Sequence, residues 1–248
     1  MTTQFWLWFT TIAMLAGGLA LLAIGKRRTP GEEAHTVIHG IVPIIAACSY
    51  FAMAVGQGSV ILPIEGAPGA TREFHYARYV AWAFTTPLLL IALSLTAQHS
   101  GMRRYGAVGG LVLAALMMVA TALFFGLSVT SWIKWTWFLI SCIAFLGVFY
   151  VLWVSYLQEN AAERADVQAS YRRNAAVLSV LWTGYPLILL VNTDGLNVIS
   201  PTASVALIAV LDLASKVGFG LMVTFDHAKT VDRDLAEHGS GQKVRLAA

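Results

Sequence analysis

The sequence predicts an all-α membrane protein, a bundle of seven transmembrane helices. Of the 248 residues, 58% are hydrophobic and only 12% are charged, about half the charged fraction of a typical soluble domain. Seven runs of about 18 or more mostly apolar residues follow one another, and this length crosses a bilayer as a helix. Short connections separate the runs, so they are expected to form one compact bundle without a second domain.

The polar stretches set the bounds of the bundle. The first span has no basic stretch before it, so it is expected to be a retained helix rather than a signal peptide. The segment Glu159 to Arg173 and the tail after Thr230 are polar and are expected in solvent. The prediction is therefore a membrane domain over 1–230 and a polar cytoplasmic tail over 231–248. The spans cover roughly 4–25, 34–56, 75–98, 106–127, 132–157, 174–193 and 202–226.

The cations between the spans predict the orientation. Only Arg72 and Lys134 fall in loops on the side opposite to most of the cations. The positive-inside rule then places the N-terminus outside and the C-terminus in the cytoplasm, in a plasma membrane. The sequence shows no metal-ligand cluster and no sign of a nucleic-acid partner. Twelve of the sixteen Lys and Arg lie on the cytoplasmic side: Lys26, Arg27, Arg28, Arg103, Arg104, Arg164, Arg172, Arg173, Lys229, Arg233, Lys243 and Arg245.

Three charged residues remain deep inside the predicted spans, Arg78, Asp212 and Lys216. A charge at the centre of a lone helix costs roughly 2.5–3.5 kcal/mol on insertion scales, so each requires a reason. Asp212 and Lys216 are four residues apart and share one helical face. They could form an ion pair that holds the bundle together. Alternatively, Lys216 is a reactive amine that condenses with a carbonyl group, and Asp212 supplies the anion beside it.

Aromatic residues in the spans favour the second interpretation. Aromatic side chains in membrane helices usually face lipid or the interface. Here several lie deep, on faces that can converge on one slot, which would suit a long planar polyene. They are Trp82, Trp137, Phe138, Phe145, Trp182 and Tyr185.

Three motifs together give the chain a resemblance to the microbial rhodopsins, on the bacteriorhodopsin-like branch. The motif "RYVAWAFTTPLLL" resembles that family's third helix, "LWTGYP" its sixth and "VLDLASKVGFG" its seventh. The resemblance covers nearly the whole chain. It implies a photoreceptor with a light-driven outward proton-pump scaffold, all-trans retinal bound to Lys216 as a Schiff base, and a homo-oligomer.

The resemblance also implies roles for individual residues. Asp212 is similar to a counterion carboxylate with Tyr50 and Tyr185 as hydrogen-bond partners, and Arg78 to a gating arginine. Trp82 and Trp182 are similar to the pair that encloses the polyene. Phe138 and Leu189 replace tryptophans that are common in the family, which predicts a reshaped ring end of the pocket. The remaining residues assigned to the pocket are Thr85, Thr86, Pro87, Met118, Trp137, Ser141, Phe145 and Pro186.

Two alanines depart from the proton-pump pattern. Ala81 stands at the position of the proton acceptor, and Ala92 stands at that of the cytoplasmic proton donor. Alanine neither accepts nor donates a proton. Asp194 matches one member of the pair that releases protons, but Ser204 occupies the partner position.

A histidine on the second span suggests a replacement for the missing donor. His39 is expected to face the region of Ala92, where it is either a polar residue near the interface or a substitute proton relay. His35 and His75 are expected nearer the membrane surfaces and receive no role.

Three functions stay open, and none is enzymatic. The chain is a proton-pump scaffold with impaired pumping, in which Ala81 is either natural or an engineered replacement of Asp. Alternatively, it is a light-driven chloride or anion pump, with chloride held near Ala81, Thr85 and Arg78. The third function is a light sensor without transport. The expected partners are the lipid bilayer and either protons or chloride as the transported ion.

Overall fold

The computed structural model describes residues 1–99 and 105–239. Within these ranges, seven helices are long and apolar enough to cross a membrane, which confirms the predicted fold class. The chain stays helical beyond the last span, as far as Gly239. The spans are α1 (Thr3–Ile24), α2 (Pro30–Ala54), α3 (Ala77–Ala97), α4 (Tyr105–Leu127), α5 (Ser131–Asn160), α6 (Ala165–Val191) and α7 (Pro201–Glu237).

Local sequence explains where three of the helices begin. The hydroxyl of Thr2 accepts a hydrogen bond from the backbone of Phe5, and that of Thr29 does the same for Glu32. Ser200 caps α7 in the same way. Pro30 and Pro201 follow two of these caps, at positions where the missing N–H costs nothing and the fixed φ suits the helix.

The helices pack in chain order, and α7 closes the ring against α1 and α2. The largest buried apolar cluster joins α3, α4, α5 and α6, with Leu93, Leu111, Leu152 and Leu178 among its members. Many large apolar side chains remain exposed on the outside, such as Phe84. Lipid tails are as apolar as these side chains, so a membrane bundle has no reason to bury them.

A β-hairpin joins α2 to α3, and it was absent from the sequence prediction. Strand β1 (Val60–Pro63) pairs antiparallel with β2 (Thr71–Phe74). Its Phe74 ring is fully buried against α4 at Gly126, where a Cβ atom would lie only 2.0 Å from that ring. The hairpin therefore forms a lid on one end of the bundle rather than a free loop.

Two π-helical turns interrupt the long helices. One covers Val151–Ser155 in α5, and the other covers Ala214–Gly218 in α7. Such turns are rare and frequently occur at functional sites. The second turn contains Lys216, so the residue that the sequence singled out lies where the helix is locally widened.

Most of the segment Glu159 to Arg173 is exposed or half-buried, but the expectation that it lies in solvent is wrong for Asn160, Val167 and Tyr171, which are buried. Helix α6 begins at Ala165, and Tyr171 is fully buried with its hydroxyl donating to the Leu152 carbonyl at 2.6 Å. The Leu152 carbonyl belongs to the π-helical turn of α5, so this turn supplies the acceptor for the buried hydroxyl of Tyr171.

The tail after Thr230 is helical as far as Gly239, and Val231 is buried. Residues 240–248 of the predicted tail, with Lys243 and Arg245, lie outside the described residues, as do Arg103 and Arg104. The division of the chain at residue 230 stays a prediction.

Candidate functional site

A buried ion pair lies at the centre of the bundle. The side chains of Lys216 and Asp212 are 4% and 2% exposed, and Nζ of Lys216 donates to Oδ1 of Asp212 in a short contact. Three further donors reach the same carboxylate. Tyr50 donates at 2.8 Å, Tyr185 at 2.7 Å and the indole of Trp82 at 3.3 Å. Such charge-assisted bonds stabilise the carboxylate as an anion despite its burial.

Four helices contribute to this network, so it depends on the closed ring. Tyr50 comes from α2, Trp82 from α3 and Tyr185 from α6, while α7 supplies the ion pair. The hydroxyl of Tyr185 also contacts Oγ of Ser215 at 2.8 Å, one residue before Lys216 in the π-helical turn. The amine is therefore held in a defined position by its own helix and by three neighbours.

An apolar cavity begins at Lys216 and extends between the helices. Its empty volume is about 720 Å³, which includes space that is open to the surroundings. Trp82, Trp182 and Phe138 line it, and the hydroxyls of Thr85 and Ser141 are among its few polar groups. A mostly apolar space whose lining includes one buried amine, that of Lys216, fits a hydrocarbon chain carrying an aldehyde.

The structure brings most of the predicted pocket residues together. Tyr50 does not line the cavity but contacts Asp212 beside it, and Pro87 is buried outside the lining. Trp137 does not line the cavity either, because its ring packs against Phe124 with 5.0 Å between centroids. The residues from the sequence prediction that do line the cavity are Trp82, Thr85, Thr86, Met118, Phe138, Ser141, Phe145, Trp182, Tyr185, Pro186, Leu189 and Lys216.

Sequence reasoning missed five lining residues. On α4, Ala122 and Phe125 follow Met118 at helical spacing, so an i, i+4, i+7 pattern could have found them. Ser141 donates to the Met118 carbonyl at 2.9 Å and so fixes α5 against α4 at this level. The missed residues are Leu89, Val119, Ala122, Phe125 and Cys142.

The two alanines of α3, Ala81 and Ala92, are both buried. Arg78, one turn before Ala81, is also buried, and its Nε and Nη2 have no hydrogen-bond partner among the described residues. It lines a second, more polar cavity of about 500 Å³ together with Asp194 and Ser204. The guanidinium therefore faces space that can hold polar groups.

Asp194 and Arg72 form a second buried ion pair. Arg72 also donates to the carbonyls of Gly126 at 2.7 Å and Ser128 at 3.1 Å, at the end of α4. Burial raises the pKa of the Asp194 carboxyl, and the charges of Arg72 and Arg78 oppose this rise. From the sequence alone, Arg72 is recognisable only as a loop cation. The structure buries it because the hairpin folds β2 over the bundle.

His39 is fully buried in α2, and neither of its ring nitrogens has a hydrogen-bond partner among the described residues. Its ring centroid lies 5.9 Å from that of His35. His35 is buried within the bundle as well, and its depth relative to the membrane surface stays a prediction.

A ring of seven helices around an apolar cavity that ends on a buried Lys–Asp pair defines the class of seven-helix retinal-binding membrane proteins. The chain belongs to the bacteriorhodopsin-like protein family, whose model matches residues 1–230. It is 35% identical to archaerhodopsin-2 of Halobacterium sp. (strain aus-2) over 243 residues, 98% of this chain and 92% of that protein.

Two further comparisons give the same family. Sensory rhodopsin-2 of Natronomonas pharaonis is 36% identical over 240 residues, 96% of this chain and 92% of that protein. The crystal structure of a light-driven proton pump, the Coccomyxa subellipsoidea rhodopsin, superposes with a TM-score of 0.82 at 33% identity. That match covers 90% of this chain and 96% of the other. The resemblance to microbial rhodopsins is thereby confirmed, as is the multi-pass membrane location that this family implies.

Proposed function

We propose that this chain is a retinal-binding photoreceptor with the scaffold of a light-driven outward proton pump, in which Lys216 holds all-trans retinal covalently. The observation that carries this proposal is the position of Nζ of Lys216, which ends the apolar cavity and contacts Asp212. The similarity to a structure described as a light-driven proton pump supports it. Bound retinal supplies absorption of visible light and a double bond that isomerises.

The protein side chains have distinct tasks in this proposal. Trp82 and Trp182 confine the polyene, and Asp212 with its three donors keeps an anion beside Nζ of Lys216. Among the described residues, Asp212 is the one carboxylate in ion-pair contact with Lys216. Ala81 offers no site for a proton, so we expect the outward transfer step of this chain to be impaired.

The first experiment tests retinal binding. The purified chain mixed with all-trans retinal should develop a visible absorption band, and borohydride reduction should fix the label at Lys216. The Lys216→Ala variant should stay colourless. A wild-type chain that stays colourless at every pH, or a label fixed elsewhere, contradicts the proposal.

A light-driven anion pump is the second candidate. Two nitrogens of the buried Arg78 have no hydrogen-bond partner among the described residues, and this favours the anion pump, because an anion beside the guanidinium would accept hydrogen bonds from them. The short side chain of Ala81 lies one turn away. Adding chloride should then shift the absorption band, and sulfate should not. The Arg78→Gln variant should lose the chloride response. An unchanged band at high chloride contradicts this candidate.

A light sensor without transport is the third candidate, and the similarity to sensory rhodopsin-2 favours it. Light-induced pH changes of a cell suspension separate the three functions. External acidification that a protonophore abolishes indicates proton export. A passive proton influx that disappears when sulfate replaces chloride indicates anion uptake, and no pH change in either medium indicates sensing.

The remaining roles are proposals as well. We infer that Asp194 takes part in proton release on the outer side and that His39 relays protons on the inner side. We also infer a homo-oligomer, with the N-terminus outside and the C-terminus in the cytoplasm of the cell. Protease access to tags placed at the two termini of the chain in whole cells tests the orientation.

A further inference from the structure

Four histidines form a continuous row on the side of the bundle that the cation distribution assigns to the cytoplasm. His35 and His39 come from α2 and His227 comes from α7, while His99 directly follows α3. The ring centroids of His99 and His227 are 5.9 Å apart, those of His227 and His35 are 4.2 Å apart, and those of His35 and His39 are 5.9 Å apart. We call this row the histidine file.

The burial of the file is difficult to explain by packing alone. His35, His39 and His227 are buried, and five of their ring nitrogens have no hydrogen-bond partner among the described residues. A buried polar group without a partner is destabilising, and a phenylalanine of similar shape avoids this cost. Buried polar groups of this kind are usually bridged by ordered water.

The outer end of the file reaches solvent. Nε2 of His99 lies 2.9 Å from Oδ2 of Asp234, a carboxylate that is partly exposed. Nη1 of Arg164 lies 2.8 Å from the other oxygen of Asp234. A proton can therefore enter or leave at this carboxylate and pass to the His99 ring.

The inner end of the file, His39, packs against Gly220, which lies one helical turn beyond Lys216 on α7. A Cβ atom built on Gly220 would lie 3.5 Å from Cβ of His39. Gly220 follows Lys216 by four residues, about 6 Å along the helix axis. The position of the usual donor on α3 is Ala92, which contributes no titratable group.

The charged groups around the file are paired. Glu32, near His227 at the start of α2, accepts three hydrogen bonds from Arg28, two from the guanidinium at 2.7 and 3.1 Å and one from the backbone N–H at 2.9 Å. Arg28 also pairs with Asp232, and on the same helix Asp226 pairs with Arg173. Each of these acids has an arginine partner, so none of them places an unpaired negative charge beside the imidazoles. The imidazoles can therefore exchange protons without being held in the charged form by a neighbouring carboxylate.

We propose that the histidine file conducts protons between the solvent at Asp234 and Nζ of Lys216, in place of a carboxylate donor at Ala92. Each imidazole accepts a proton on one ring nitrogen and releases another from its second nitrogen, so each ring stays neutral after the transfer but is left in its other tautomer. Ring rotation or bridging water restores the original tautomers. This inference rests on the proposed function, because it requires a proton that leaves Nζ of Lys216 in the light.

The kinetic experiment uses an Ala81→Asp background, which provides an acceptor for that proton. After a flash, the return of the proton to Nζ of Lys216 is followed by absorbance. His35→Phe and His227→Phe should each slow this return at least tenfold, and added free imidazole should restore the rate. His75→Phe is the matched control, because His75 is a histidine on the opposite side of the bundle, and its rate should not change.

A second measurement needs no retinal. Nitrogen-15 NMR of histidine-labelled protein in lipid reports hydrogen exchange with D₂O at the ring of His39. His227→Phe should slow this exchange at least tenfold, whereas His75→Phe should leave it unchanged. His227→Gln, a less drastic change that also removes the imidazole, should slow it as well if the Phe variant does not fold.

The outcomes separate the two proposals. A wild-type chain that never binds retinal at Lys216 contradicts the proposed function, although the exchange at His39 still tests the file. Coloured variants whose proton return is as fast as in their Ala81→Asp parent, together with unchanged exchange at His39, overturn the histidine file alone.

Discussion

Lys216 and Asp212 show what a single pair of residues contributes to this bundle. Neither charge is stable in the membrane interior alone, and each is tolerated because the other and the three donors from Tyr50, Tyr185 and Trp82 surround it. The pair that the proposed function places at its centre is therefore also a stability requirement.

The stability requirement can be tested without retinal. Asp212→Asn should lower the unfolding free energy of the chain by about 3–5 kcal/mol, because it leaves a buried ammonium without its anion. Thermal unfolding of the retinal-free protein in detergent measures this. Asp226→Asn is the control on the same helix. Its partner Arg173 is half exposed, so its loss should cost no more than about 1 kcal/mol. Equal losses for the two variants contradict the argument.

His75, which lies between β2 and α3, gives a prediction about pH. Burial lowers its pKa to about 4, and the nearby Arg78 adds to this effect. Below about pH 6.5, His75 is protonated in the unfolded chain but stays neutral in the folded chain. His75 therefore lowers the free energy of unfolding as the pH falls from about 6.5 towards 4.

The His75→Gln variant should therefore lose less thermal stability than the wild type when the pH is lowered from 7.5 to 5. Both proteins carry a neutral side chain at pH 7.5, which serves as the reference condition. Parallel pH profiles of the two melting temperatures would show that His75 titrates freely.

At the scale of elements, the hairpin and α4 depend on each other. Strand β2 sends Phe74 against Gly126 and Arg72 to the carbonyls at the end of α4, where Arg72 also meets Asp194. Through these contacts the hairpin between α2 and α3 is fixed against α4, and strand β2 lines the polar cavity that Arg78 also lines.

Gly126→Ala tests this contact. Its new Cβ would overlap the Phe74 ring, so the hairpin must shift, and overpacking of this kind costs about 1–3 kcal/mol. Hydrogen exchange of the β1 and β2 amides should become faster. Gly110→Ala lies on the same helix with no atom within 4 Å of its Cβ, and it should be neutral or stabilising. Unchanged exchange in Gly126→Ala contradicts the packing argument.

At the scale of the whole molecule, proton transport requires groups on both sides of Lys216. On the side of Arg78 the bundle has the Arg72–Asp194 pair, but Ala81 supplies no carboxylate; on the opposite side it has the histidine file, but Ala92 supplies none. In the proposed function, the groups that bind protons therefore lie at the two ends of the path, and neither alanine next to the centre binds one.

Ala81→Asp should restore the missing outer step. A second anion near Nζ of Lys216 stabilises the charged ground state, so the absorption band should move to shorter wavelength. Light should then acidify the medium around cells that carry this variant more strongly than around cells that carry the wild type. Ala81→Asn, which is similar in size but uncharged, should do neither. Equal acidification by Ala81→Asp and by the wild type would contradict the role assigned to this position.

The sequence by itself determined the seven spans and the shared helical face of Asp212 and Lys216. These features are local, because apolar length and i, i+4 spacing act within one helix. The motifs on α3, α6 and α7 also placed Trp82, Trp182 and Tyr185 in a common pocket, by resemblance.

Only the tertiary structure decided which distant residues meet. His35 lies beside His227 and Arg72 beside Asp194 because the ring of helices closes and the hairpin folds over its end. The same packing turns Trp137 towards Phe124 instead of the cavity. Helical periodicity specifies the face on which a side chain lies, but the rotation and depth of each helix against its neighbours follow from packing across the whole bundle, which no single segment encodes.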